Sequence, residues 1–137
     1  MIEAMRKKIL VVDDETKITR LLTCFLQSAG YEVHAEASGQ AALDAVNQDV
    51  PDLVVLDLRL PDISGYEVST RLRRNFNPSA LPIVMITAMD RPEDRERGFE
   101  HGANAYMAKP FELDELNQTI TTLLQEEPPT ASAAVAP

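Results

Sequence analysis

The sequence predicts an α/β fold in which helices cover both faces of a mostly parallel sheet. Short apolar runs alternate with segments of helical periodicity, and this alternation recurs five times along the chain. Three of the apolar runs lack the polar alternation of a half-exposed strand, as expected for strands that are covered on both faces. A length of 137 residues suits one such domain.

The first two strands are predicted at Ile9–Val12 and Tyr31–Glu36, with an amphipathic helix between them. Gly30 is placed to end that helix. Its apolar residues recur at the spacing i, i+3, i+4, i+7 and i+8, namely Ile18, Leu21, Leu22, Phe25 and Leu26.

The second and third helices carry capping signals and flank the predicted strand Leu53–Leu56. Ser38 can cap the second helix, whose inward residues are small. The tetrapeptide Ser64-Gly65-Tyr66-Glu67 reads as a capping box that opens the third helix.

The last two units place strands at Ile83–Thr87 and Ala105–Ala108. The fourth helix, near Pro92–His101, offers only Phe99 as a large apolar residue, so we expect it to pack weakly. The fifth helix is clearer, because its apolar residues follow helical spacing and acids lie near its N-terminus. These apolar residues are Leu113, Leu116, Ile120 and Leu123.

Composition narrows the class of protein. The 13 basic and 22 acidic residues give a formal charge of −9, which disfavours direct binding to nucleic acid or to an anionic membrane. Cys24 is the only cysteine, so no intramolecular disulfide can form. The N-terminus lacks the apolar core of a signal peptide, and we expect a soluble cytoplasmic protein.

The folded domain is predicted at 6–126, and residues 127–137 read as a disordered tail or the start of a linker.

Polar residues follow four of the five predicted strands. Ligands bind beyond the carboxyl ends of strands in open parallel sheets, so these residues are the candidates for a site. They are Asp13 and Asp14 after the first strand, Asp57 after the third, Thr87 at the end of the fourth and Lys109 after the fifth. Three carboxylates at one sheet edge suit Mg²⁺, which takes few protein carboxylates and keeps several waters.

The same residues can support phosphoryl chemistry. The central acid, Asp57, is the candidate nucleophile toward phosphorus, while Asp13 and Asp14 would hold the metal. Lys109 and the Thr87 hydroxyl can attract the other oxygens of an incoming phosphoryl group.

The sequence resembles the receiver domains of two-component response regulators. The resemblance covers Lys8 to about Gln125 and rests on short motifs that occur in order at the strand ends. The motifs are "DD" at Asp13 and Asp14, "VVLDLRLPDISG" with Asp57, "ITA" with Thr87 and "YMAKPF" with Lys109.

The resemblance implies a flavodoxin-like (βα)₅ fold, a doubly wound parallel sheet with strand order 2-1-3-4-5. It implies transfer of a phosphoryl group to Asp57 from a phosphohistidine on a sensor histidine kinase or phosphotransfer protein. Mg²⁺ would be bound by Asp13, Asp14, Asp57 and the backbone carbonyl of Arg59.

The resemblance also assigns the remaining roles. Lys109 would pair with the phosphate, and a cis bond is expected between Lys109 and Pro110. Thr87 and Tyr106 would form a switch pair that alters an output face for an unknown protein partner. The domain would be a monomer or a phosphorylation-promoted dimer, and not an enzyme on external substrates, although it would catalyse its own phosphorylation and dephosphorylation.

Several alternatives stay open beside this interpretation. The chain could be the receiver fragment of a longer regulator with a DNA-binding or enzymatic output domain, or a phosphorylation-independent pseudo-receiver that only binds proteins. An aspartyl-phosphate phosphatase is disfavoured, because its pattern needs a second Asp where Arg59 stands. An FMN carrier is disfavoured because Asp13-Asp14-Glu15 would repel the flavin phosphate.

Overall fold

Five parallel strands form one sheet, in the order β2-β1-β3-β4-β5, in the computed structural model, which describes residues 6–124. This order and the parallel pairing confirm the predicted doubly wound, flavodoxin-like fold. The strands are β1 (Lys8–Val12), β2 (Glu32–Glu36), β3 (Leu53–Leu56), β4 (Ile83–Thr87) and β5 (Ala105–Ala108). The predicted strands agree to within one residue at each end.

Five helices cover the two faces of this sheet. They are α1 (Thr16–Ser28), α2 (Gly39–Gln48), α3 (Gly65–Arg73), α4 (Pro92–Glu100) and α5 (Leu113–Leu124). Alternate side chains of the strands point to opposite faces, which divides the core into two clusters. Leu26 of α1 and Leu116 of α5 belong to one cluster, whereas Val46 of α2 and Val68 of α3 belong to the other.

Serine caps begin α2 and α3, as the sequence predicts. The Ser38 hydroxyl accepts from the N–H of Ala41 at 3.2 Å, and the Ser64 hydroxyl accepts from the N–H of Glu67 at 3.1 Å. The Glu67 carboxylate accepts a hydrogen bond from Nε of Arg71 at 2.8 Å, which is a different contact from the one that the predicted capping box requires. The two starts are therefore fixed by N-caps of the expected kind.

Helix α4 meets the sheet through a glycine. Gly98 is its one buried residue, and a side chain there would overlap the Tyr106 ring and the Met85 sulfur. Phe99 stays 47% exposed. Helix α4 therefore buries no large apolar side chain, as its sequence indicates, although the Phe99 ring lies 6.4 Å from that of Tyr106.

The tail predicted at 127–137 lies outside the described residues, and the domain boundary at 6–126 stays a prediction. Each helix within 6–124 is too short or too polar to cross a bilayer.

Gly65 allows α3 to begin directly against the end of β3. Its N–H donates to the Leu58 carbonyl at 2.9 Å, and an added Cβ would meet the Asp57 carbonyl oxygen and lie 2.8 Å from the Leu58 Cα. Both obstructing atoms are backbone, so they cannot rotate away. Gly39 occupies the equivalent first position of α2, but its obstructing atoms are side-chain carbons of Ile63 and Val68.

We expect Gly65→Ala to lower the free energy of unfolding by about 1–3 kcal/mol, the usual cost of an overpacked site. Gly39→Ala is the matched control, and its loss should be smaller because the neighbouring side chains can shift. Urea unfolding of both variants measures the difference. An equal or smaller loss in Gly65→Ala would contradict the assigned role of the close backbone approach.

The loop between β3 and α3 is tied to the start of α2 by Asp62. Its two carboxylate oxygens accept from the N–H of Gly39 at 2.9 Å and the N–H of Gln40 at 2.8 Å. These bonds, from Gln40 first and then from Gly39, lower the pKa of Asp62 from 3.8 to about 2. A residue remote in sequence thus completes the cap that Ser38 begins.

The depressed pKa of Asp62 predicts a pH-dependent contribution to stability. The contribution should be complete above pH 3.8 and disappear as pH falls toward 2, because the carboxylate is then protonated in the folded state. Asp62→Asn should therefore destabilise the protein at pH 7 and have a smaller effect near pH 3. Urea unfolding at both pH values tests this, with Asp44→Asn on the exposed face of α2 as control. A pH-independent loss in Asp62→Asn would contradict the assignment.

Candidate functional site

Three carboxylates converge where β1 and β3 end. Asp13, Asp14 and Asp57 each offer one oxygen, and these three oxygens lie within 4.8 Å of one another. Asp13 and Asp57 are buried, at 4% and 6% exposure, whereas Asp14 is exposed. The predicted acidic cluster therefore forms, with two inner acids and one that faces solvent.

Backbone bonds that extend the sheet fix the inner residues of this cluster. The N–H of Asp13 donates to the Glu36 carbonyl at 3.1 Å, and that of Asp57 donates to the Val12 carbonyl at 2.9 Å. The N–H of Lys109 donates to the Thr87 carbonyl at 2.8 Å. Each of the three residues therefore starts from a backbone position that is set by its neighbouring strand.

Lys109 brings one positive charge into the cluster. Its Nζ lies 2.8 Å from Oδ2 of Asp13, 2.7 Å from Oε1 of Glu15 and 3.5 Å from Oδ2 of Asp57. The bond to Pro110 is cis, as expected from the family resemblance. The ammonium thus connects β5 to acids that follow β1 and β3.

Burial and charge act against each other at this site. Burial raises the pKa of the Asp13 carboxyl, and the nearby Asp57 charge raises it further, although Lys109 and the Glu15 N–H donate hydrogen bonds to it. Burial alone would lower the pKa of Lys109, but its hydrogen bonds to Asp13 and Glu15 outweigh this and raise it. Lys109 is therefore a firmly charged ammonium, and Asp13 is an acid that a further cation would stabilise.

Asp57 presents one oxygen to the backbone and the other to the crevice. Its Oδ1 accepts from the N–H of Leu58 at 2.7 Å and, at a longer 3.4 Å, from the N–H of Arg59. Its Oδ2 faces Lys109. The side chain of Arg59 is exposed, and a role for its carbonyl in metal binding stays a prediction.

Thr87 and Tyr106 lie on adjacent strands and are connected through Met89. Thr87 is fully buried, and its Oγ1 accepts from the N–H of Met89 at 3.3 Å. Tyr106 is also buried, and its hydroxyl donates to the carbonyl of Met89. One peptide segment of the β4–α4 loop therefore contacts both predicted switch residues.

The sequence did not predict the contact between Glu15 and Lys109. Glu15 follows the acid pair directly, and its carboxylate crosses to the residue that follows β5. Acidic residues are common in strand-end loops, so its type and position alone gave no sign of this partner. Hydrogen bonding to Lys109 lowers the pKa of Glu15.

The donor set fits a hard divalent cation. All three converging groups are carboxylate oxygens, which Mg²⁺ and Ca²⁺ prefer, and the soft sulfur ligands that would favour other metals are absent from the cluster. A cation there would offset the burial of two acids that a single lysine cannot fully neutralise.

A family model of the response regulator receiver domain matches residues 9–121. The transcriptional regulatory protein PhoP of alkaline phosphatase synthesis, from Bacillus subtilis, is 43% identical over 121 residues, which are 88% of this chain and 50% of that protein. The DNA-binding dual master transcriptional regulator RpaA of Synechocystis is 36% identical over 118 residues, 86% of this chain and 49% of that protein. The chain spans about half the length of the curated relatives it matches.

Solved structures give the same result. A CheY-like receiver domain protein from Methanospirillum hungatei matches with a TM-score of 0.83 and 30% identity, covering 88% of this chain and 95% of that one. The BeF₃-activated N-terminal receiver domain of Klebsiella pneumoniae RstA matches with a TM-score of 0.81 and 28% identity, covering 87% and 99%. Both the fold and the sequence thus place this chain in the family of response regulator receiver domains.

Proposed function

We propose that this domain is a phosphorylation-dependent signalling switch in which Asp57 accepts a phosphoryl group. The observation that carries the proposal is the convergence of Asp57 with two further acids and Lys109 at the carboxyl edge of the sheet. Membership of the receiver family supports the same reading. The phosphodonor is a phosphohistidine on a sensor histidine kinase or a phosphotransfer protein.

The cation of this site is Mg²⁺, held by Asp13, Asp14, Asp57 and the backbone carbonyl of Arg59. When bound, it neutralises charge that develops on the transferring phosphoryl oxygens. The buried carboxylate of Asp13 supports this assignment, because burial and the nearby Asp57 charge raise its pKa, and a divalent cation would counteract both effects. The exposed Asp14 leaves one side of the site open to water, which Mg²⁺ retains in proteins.

In the transfer step, a carboxylate oxygen of Asp57 forms a bond to phosphorus while the bond from phosphorus to the donor nitrogen breaks. The imidazole of the donor leaves with the electron pair of that bond, and Asp57 becomes an aspartyl-phosphate. Lys109 and the Thr87 hydroxyl bind phosphoryl oxygens. Water later attacks the phosphorus, the bond from phosphorus to the Asp57 oxygen breaks, and inorganic phosphate leaves, so the domain acts on its own phosphoryl group and not on an external substrate.

The switch runs from Thr87 to Tyr106 through Met89. A Thr87 hydroxyl that turns toward the phosphoryl group gives up its bond to the Met89 N–H. The loop that holds the Tyr106 hydroxyl then moves, and the surface of α4, β5 and α5 changes with it. Helix α4 buries only Gly98, and this small buried surface supports a movable element at this place.

The changed surface of α4, β5 and α5 acts by binding another protein. A second candidate is a longer regulator in which this domain controls a DNA-binding unit, and the lengths and names of the relatives favour it. In that case the receiver chemistry is unchanged, and the net charge of −9 leaves DNA contact to the other domain.

Asp57→Asn should abolish phosphoryl uptake, because the amide that replaces the carboxylate is not a nucleophile toward phosphorus. The protein is incubated with Mg²⁺ and acetyl phosphate, and intact mass spectrometry counts the phosphoryl groups gained. Asp114→Asn, an exposed acid of α5, is the control and should gain one group like the parent. Uptake by Asp57→Asn would refute Asp57 as the acceptor.

Asp13→Asn should weaken Mg²⁺ binding by roughly tenfold or more, since even outer contacts of a metal site are worth about 10–100-fold. Isothermal titration calorimetry measures the affinity. Asp62→Asn is the matched control, because that carboxylate binds the start of α2 instead of the cluster. Equal affinities of Asp13→Asn and the parent would exclude Asp13 as a ligand.

A further inference from the structure

We propose that Glu15 is a positioning residue that competes with the incoming phosphoryl group for the ammonium of Lys109. The inference rests on the proposed function, and it adds that Glu15 slows phosphoryl transfer to Asp57. Before phosphoryl transfer, Glu15 draws Lys109 toward the start of α1. During transfer, Lys109 exchanges the Glu15 carboxylate for a phosphoryl oxygen.

The distances show how the ammonium is occupied. Lys109 Nζ has three hydrogens to donate. It lies 2.7 Å from Glu15 and 2.8 Å from Asp13, which are full hydrogen bonds, and 3.5 Å from Asp57, which is at the limit of one. The shortest contact of Lys109 is therefore with the residue outside the acidic cluster, and the longest is with the acid that would be phosphorylated.

The backbone of Glu15 is held in place independently of this contact. Its N–H donates to Oδ1 of Asp13 at 2.9 Å, and its carbonyl accepts from the N–H of Ile18 and the N–H of Thr19 at the first turn of α1. The side chain thus begins from a fixed point one residue beyond the acid pair. From this position the Glu15 carboxylate reaches the ammonium of Lys109.

Exposure distinguishes Glu15 from the other partner of Lys109. The Glu15 side chain is 59% exposed, whereas those of Asp13 and Lys109 are 4% and 13% exposed. Water can replace the ammonium around the Glu15 carboxylate at little cost, because exposed ion pairs are weak. Asp13 has no such substitute. When an anionic group arrives, Glu15 is the partner that Lys109 can release.

Glu15→Gln removes the competing charge while it preserves the shape of the side chain. At saturating Mg²⁺, the affinity for beryllofluoride, a phosphoryl-like anion, should rise roughly two- to fivefold, the range of an exposed ion pair. The rate of phosphorylation by acetyl phosphate should rise by a similar factor. Calorimetry gives the first quantity without any turnover, and mass spectrometry gives the second.

Three further variants distinguish the effect of the contact between Glu15 and Lys109 from the effect of removing a negative charge anywhere on the domain. Glu100→Gln removes the same charge at the end of α4 that leads into the amino end of β5, away from the carboxyl ends of the strands. This variant should leave both quantities unchanged. Glu15→Asp keeps the charge but withdraws the carboxylate from Lys109, so it should resemble Glu15→Gln. In a Lys109→Gln background, Glu15→Gln should no longer raise the phosphorylation rate.

The outcomes also separate this inference from the proposed function. If the parent protein binds no beryllofluoride and gains no phosphoryl group, the proposed function fails. If the parent does both and Glu15→Gln matches it, the role of Glu15 is overturned while the function stands. Equal increases in Glu15→Gln and Glu100→Gln, or Glu15→Asp that behaves as the parent, would likewise overturn the role of the contact.

Discussion

Repulsion among the carboxylates at the carboxyl edge of the sheet is the constraint on which the rest of the site depends. Two like charges about 4 Å apart repel by roughly 4 kcal/mol at the effective dielectric of a protein surface. Here three acids lie within 4.8 Å of one another, and two of them are buried. Lys109 relieves part of this repulsion, and a divalent cation bound as proposed would relieve more of it.

The parallel sheet is what makes such an unfavourable arrangement sustainable. Asp13 and Asp57 each donate a backbone hydrogen bond to an adjacent strand, and Lys109 does the same on the far side of β4. Their positions are therefore determined by strand pairing, which the buried apolar faces of β1, β3 and β4 stabilise. Because the core fixes the backbone, the acids cannot separate to relieve their repulsion.

The sequence predicted most of the fold and the inner part of the site, for physical reasons that particular residues illustrate. Continuous apolar runs identified the buried strands, and the chain order of Asp13, Asp57 and Lys109 placed them at one edge. It did not predict Glu15 or Asp62. Each of these acids contacts a segment that is remote in sequence, and the sequence around an exposed acid does not indicate which residue it will contact.

The same distinction explains why the contacts around the predicted switch pair, Thr87 and Tyr106, were only partly predictable from the sequence. The poor apolar pattern of α4 correctly indicated that the helix buries no large apolar side chain, but the pattern could not show that Gly98 lets the helix approach the Tyr106 ring. Because that ring and Gly98 are in contact, a movement of either one is felt by the other. Met89 then joins this pair to Thr87 through its two backbone groups. Under the proposed function, a phosphoryl group at Asp57 acts on this short chain of contacts, to which Phe99 of α4 adds a half-exposed ring whose centroid lies 6.4 Å from that of Tyr106.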